Sequence, residues 1–110
     1  MRLRSTLTAA VGSLALVLAL PAAAHAASGS FSYVYGSGAG EYLSALVDPP
    51  SRQCLAIPVP GPSAARSPRN TTDATATVYT GAGCTGASYV LRAYDGQGSP
   101  LVGVRSVMFS

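Results

Sequence analysis

A chain of 110 residues with 12 glycines, 8 prolines and 10% charged side chains has room for one domain with a thin core. Its formal charge of +3 owes much to Arg2 and Arg4 at the start; beyond them Arg52, Arg66, Arg69, Arg92 and Arg105 face Glu41, Asp48, Asp73 and Asp95. Scattered arginines, with no lysine anywhere, leave no electrostatic footprint for nucleic acid or an anionic membrane surface.

Residues 1–26 read as a secretory signal peptide. After the basic start comes an uncharged run, densest at Val11, Leu14, Leu16, Val17, Leu18 and Leu20. Pro21 ends it, and Ala24-His25-Ala26 has the small-x-small pattern of a signal-peptidase site. A retained anchor would need about 20 predominantly apolar residues. This run is shorter, is diluted by alanine and serine, and has no basic stop-transfer cluster after it. The expected working protein is a single domain over 27–110, extracellular, without membrane contact after cleavage and without histidine once His25 is gone.

In chain order, the domain offers short alternating runs broken by glycine and proline. Residues 30–35 place Phe31, Tyr33 and Tyr35 on one face, and the glycine-rich 36–40 permits the positive φ of a tight connection. Residues 41–47 alternate Leu43, Ala45 and Val47 against Tyr42, Ser44 and Leu46, and Asp48-Pro49-Pro50-Ser51 stops that strand. Residues 53–59 gather Leu55, Ile57 and Val59 on one side. The stretch 60–73, with Pro60, Gly61, Pro62 and Pro68, is expected as one long surface loop. Further strands are expected at 74–80, 88–93 and 101–109, with a hairpin-grade turn at Asp95-Gly96-Gln97-Gly98. Runs of this kind predict an all-β fold, a small antiparallel sandwich or barrel.

Cys54 and Cys84 are the only cysteines, and both lie beyond the signal. In an oxidising compartment they are expected to form one disulfide, closing a loop of about 30 residues worth roughly 3–4 kcal/mol in the chain-entropy model. Two cysteines without a histidine do not complete a zinc site.

From Ala76 onward a pattern emerges. Tyr79 and Gly86 stand in an aromatic-x6-glycine spacing, Ser88-Tyr89-Val90-Leu91 follows as a strand, and Ser106 lies in a closing strand. This half resembles a Greek-key motif of the βγ-crystallin-like superfamily. The resemblance implies that Tyr79 covers a folded hairpin, that Gly86 adopts a conformation a Cβ would obstruct, and that Ser106 hydrogen-bonds back to the hairpin. In the first half two pairs, Phe31 with Gly38 and Tyr33 with Gly40, satisfy the same spacing, and no serine-bearing closing strand precedes Ala74. The resemblance extends to small secreted actinobacterial Greek-key proteins, metalloproteinase inhibitors and killer-toxin-like proteins among them. It also implies calcium, held by paired Asp or Asn just before the closing serine. Here that stretch is Leu101-Val102-Gly103-Val104-Arg105, apolar where hard oxygen ligands should stand. Asn70 and Asp73 remain for a degenerate first site, or as loop terminators. No metal or cofactor is expected.

With no histidine and both cysteines bonded, nucleophilic triads are out of reach. Glu41, Asp48, Asp73 and Asp95 each sit beside a turn or strand end, the usual place of a solvated carboxylate. No catalytic residue is expected. The chain is expected to be a non-enzymatic binding protein whose partner is an extracellular protein or a cell-wall glycan. The alternative is a proteinase inhibitor presenting Arg66, Ser67 and Arg69 in the 60–73 loop, and the third reading is a structural extracellular protein. Asn70-Thr71-Thr72 matches a glycosylation acceptor. The tyrosines, at 33, 35, 42, 79, 89 and 94, serve either as core and corner residues or as a strip that stacks on sugar rings.

Overall fold

The computed structural model describes residues 26–37 and 40–110. The expected signal peptide lies, except for Ala26, outside them, as do Gly38 and Ala39.

The strands are β1 (Ser30–Ser37), β2 (Gly40–Val47), β3 (Cys54–Ala56), β4 (Arg66–Asn70), β5 (Ala76–Tyr79), β6 (Ser88–Leu91), β7 (Gly96–Gln97) and β8 (Ser106–Phe109). They form two antiparallel four-stranded sheets, ordered β2-β1-β4-β7 and β3-β8-β5-β6. Each half of the chain builds a hairpin, returns its fourth strand beside its first, and sends its third strand to the edge of the other sheet. The two halves therefore interlock through β3 and β7. The fold is all-β, as expected.

Alternation with a period of two sets the core. Phe31 and Tyr33 from the first sheet meet Val78, Val107 and Phe109 from the second, all essentially without exposure. Phe31 packs edge to face on Phe109 at 5.5 Å, joining the sheets. The Tyr33 hydroxyl, buried with its ring, donates to the Pro58 carbonyl at 2.7 Å.

Several strands depart from the expected pattern. The 60–73 segment is not one loop, because β4 occupies its middle and pairs with both β1 and β7. Pro68 hid this strand. It is tolerated because the β1–β4 register shifts between Ser32 and Val34, where Ser67 takes a φ of +51°, and a bulge needs no N–H from proline. The turn expected at 95–98 falls earlier, closed by the Gly96 amide donating to the Arg92 carbonyl at 3.1 Å, and leaves Gly96 and Gln97 free to form β7. The final strand is shorter than the apolar run 101–109: Leu101 stands in water, 93% exposed, Val104 makes a lone bridge to Ala65, and β8 begins at Ser106.

The disulfide is present. Cys54 on β3 and Cys84 in the β5–β6 connection are bonded, with their Cα atoms 5.9 Å apart.

Candidate functional site

Ser106 is fully buried and organises the β5–β6 connection. Its Oγ donates to the Gly81 carbonyl at 2.6 Å and accepts from the Cys84 amide at 2.8 Å. Gly86 has a φ of +82°, and a Cβ there would lie 2.6 Å from Thr80 Oγ1 and 3.2 Å from the Gly81 nitrogen. The obstruction is Thr80, whose Oγ1 accepts from the Ala87 amide, rather than the Tyr79 ring that the resemblance implied.

The first half solves the same problem with a different side chain. In the second half Tyr79 pairs with Ser106, which bonds the carbonyl two residues beyond Tyr79; in the first, Val34 pairs with Arg66. Arg66 Nη1 donates to the carbonyl of Gly36, two residues beyond Val34, at 2.6 Å, and Nη2 pairs with the Glu41 carboxylate. Where the second half bonds its hairpin through Ser106, the first does so through Arg66, which a search for serine could not find. The first hairpin itself is a regular ladder running from Ser30–Val47 to Ser37–Gly40, so Gly40 ends a ladder instead of a fold-back.

This placement bears on the inhibitor residues. Arg66, Ser67 and Arg69 belong to β4, with β1 on one side and, on the other, β7 and the Ser99 carbonyl that accepts from the Ser67 amide at 3.2 Å. A proteinase reads an extended segment by pairing with a free backbone edge. Both edges of β4 are occupied.

Asn70 ends β4 fully buried, as does Thr72 beside it. Asn70 Nδ2 donates to the carbonyls of Ala74 (2.7 Å), Leu91 (3.2 Å) and Arg92 (3.1 Å), while Oδ1 accepts from the Thr72 amide and hydroxyl. Its amide is thus unavailable for glycosylation, and its carbonyl oxygen is committed within the protein. Asp73 Oδ1 accepts from the Ser28 amide and Asp48 Oδ1 from the Gly29 amide. Among the described residues, no three His, Cys, Asp or Glu side chains gather as a metal site.

The Asn70 knot holds up a surface feature. An open groove of about 430 Å³ lies between β6 and β7, lined by Val90, Leu91, Arg92, Asp95, Gly96 and Gln97. Arg92 grips Asp95 with two contacts, Nε to Oδ1 at 2.8 Å and Nη2 to Oδ2 at 3.3 Å. In the same turn Tyr94 has a φ of +73° and is 70% exposed, its amide donating to the Thr72 carbonyl at 2.8 Å. The turn is closed so tightly that a Cβ on Gly96 would lie 2.6 Å from the Arg92 nitrogen and oxygen.

The tyrosines do not form a strip. Tyr33 is core, Tyr35 is half-buried and stacks at 5.5 Å on exposed Tyr42, and Tyr89 packs against the core with an unpaired hydroxyl. Tyr42 lies on β2 and Tyr94 next to β7, at opposite edges of the first sheet. No protein-family model, no curated protein and no solved structure matches this chain.

Proposed function

We propose that this chain is exported by residues 1–26 and acts outside the cell as a non-catalytic binding protein of βγ-crystallin-like fold. Three features support the kinship: a fourth strand beside the first in each half, a third strand crossing to the other sheet, and a buried serine closing a hairpin that contains a positive-φ glycine. The Greek-key reading of both halves belongs to this proposal.

One observation carries the binding role: the reactive side chains are spent on the scaffold. Asp48 and Asp73 cap backbone amides, Glu41 pairs with Arg66, the cysteines are bonded, and Asn70 and Ser106 tie loops. A general base or nucleophile must be free to reach a substrate. What the molecule displays is the groove between β6 and β7 and the exposed rings of Tyr42 and Tyr94, which suit recognition. An extracellular protein or a wall glycan is the partner.

The test is affinity capture from culture supernatant and cell-wall fractions with the secreted protein, whose mass should correspond to a chain starting at Ala27. Recovery of a partner supports the role. Recovery of none, or a protein still carrying residues 1–26, counts against it.

A further inference from the structure

We propose that the free edge of β2 is a self-association surface, on which a second copy of this chain lays its own β2 antiparallel with the two-fold axis at Ala45. The inference goes beyond the partner sought above and does not depend on it.

The backbone is the starting observation. β2 ends the first sheet and pairs only with β1. Just past its last residue, the Asp48 amide donates to the Gly29 carbonyl, in the chain leading into β1, at 2.8 Å. Backbone groups along an antiparallel strand alternate between its two sides. Leu46, Ser44 and Tyr42 therefore turn theirs to β1, and Val47, Ala45, Leu43 and Glu41 turn theirs outward. No hydrogen bond reaches these outward groups from the described residues.

A soluble protein usually blunts such an edge with short length, lysine, proline or a bulge. The other sheet edges are short: β3 has three residues, β6 four and β7 two. β2 has eight, without lysine or proline, and its ladder to β1 runs unbroken from Val47 to Gly40. Its one charged side chain, Glu41, is held by Arg66. This edge is left open.

The side chains match the backbone. Leu43, Ala45 and Val47 pair with Val34, Ser32 and Ser30 of β1, on the face turned away from buried Phe31 and Tyr33. Leu43 is 75% and Val47 69% exposed, an apolar row that the fold leaves in water. A two-fold axis at Ala45 sets that residue against Ala45 of the second copy, and Leu43 against its Val47. All of these bond outward, so each pair exchanges both backbone bonds. The two apolar rows then run side by side on one face. Glu41 falls opposite Pro49 and Asp48 opposite Tyr42, so no two carboxylates face each other.

A foreign strand would find the same backbone bonds here, but a second copy also brings the matching apolar row without opposing charge. Because β7, at the far end of the sheet, has two residues, the assembly closes at a dimer instead of growing. One strand edge covers less than the about 800 Å² per partner of a standard interface, so the dimer exchanges and depends on concentration.

The experiment is sedimentation velocity on the secreted protein over about a hundredfold range of concentration. It runs beside Ala45→Lys, Ala45→Glu and an equal mixture of the two variants. Wild type should pass from monomer to dimer as concentration rises. Each variant alone should raise the dimer dissociation constant about fivefold or more at unchanged Tm, because it sets like charges on the axis. The mixture should recover association, since opposite charges then meet there. On concentrating wild type, amide exchange should slow at Leu43, Ala45 and Val47 and stay level at Ser44 and Leu46, which already bond to β1. A monomer at every concentration overturns the proposal, as does a dimer that forms equally well in both variants. A mixture no better associated than its components overturns the axis at Ala45. Protection of the outward β2 amides that comes only with an added extracellular protein gives the edge to that partner and overturns the second copy.

Discussion

Tyr89 buries a hydroxyl that finds no hydrogen-bond partner, and burial raises its pKa above the ordinary 10.0. An unpaired buried hydroxyl costs about 1–3 kcal/mol, so Tyr89→Phe should stabilise the protein by roughly 1 kcal/mol. As pH rises, the unfolded chain releases this proton first. The folded state therefore keeps its full advantage below about pH 10 and loses it as pH climbs toward the raised value. Urea midpoints at about pH 8 and about pH 11 should differ more in wild type than in Tyr89→Phe; equal differences would show that Tyr89 stays wet. Glycines make a second comparison at this scale. Gly83 and Gly86 both have positive φ, but a Cβ at Gly83 meets nothing within 4 Å, whereas at Gly86 it meets Thr80. Gly83→Ala should cost about 1 kcal/mol from the backbone alone, and Gly86→Ala clearly more. Matching denaturation midpoints would mean that the fold-back yields freely. The resemblance to a Greek-key motif marked Gly86 and Ser106 as special. It could not name Thr80 as the contact, because the contact depends on how the connection folds back on itself.

Elements were legible where side chains alternate and illegible where the backbone does the pairing. β1 and β5 announce themselves by period-two burial, while in β2 the apolar Leu43 and Val47 face water. β4 carries Arg66, Ser67, Pro68, Arg69 and Asn70, a composition that reads as loop, and β7 is two residues long. Both become strands because a neighbouring strand offers an edge, which local pattern does not record. The groove was hidden for the same reason: it exists only because β7 crosses to the first sheet and Asn70 reaches back to β6. Arg66 tests how much a side-chain bond to the Gly36 carbonyl contributes to the first hairpin. Arg66→Ala removes the donor to the Gly36 carbonyl and strands Glu41, which is largely exposed and can turn to water. The expected loss is about 1–2 kcal/mol, mostly from the hydrogen bond to the carbonyl. Hydrogen exchange should quicken in the β1–β2 hairpin and stay unchanged in β5–β6. A variant as stable as wild type, with the hairpin still protected, would reduce Arg66 to a surface ion pair.

At the scale of the whole molecule, the two halves hold together through exchanged strands, and both exchanges are short. β7 contributes two residues to the first sheet and is backed by the Asn70 bonds to the chain just before it. β3 contributes three residues to the edge of the second sheet and pairs only with β8. Such an edge frays easily, because few backbone bonds hold it and one side faces solvent. The disulfide stands at this point: Cys54 opens β3, and Cys84 sits in the connection that Ser106 closes. The bond therefore secures the weaker crossover and also shortens the unfolded chain. Replacing both cysteines by serine should lower stability by about 2–4 kcal/mol. The damage should be local before it is global, since the Ser106 bonds to Gly81 and to the backbone amide at 84 need no sulfur. Hydrogen exchange at β3 should rise well before that of β5 or β8, and thiol titration of the native protein should find none free. If the double variant unfolds at the wild-type midpoint with β3 still protected, the crossover is held by its ladder to β8 and the covalent link is redundant.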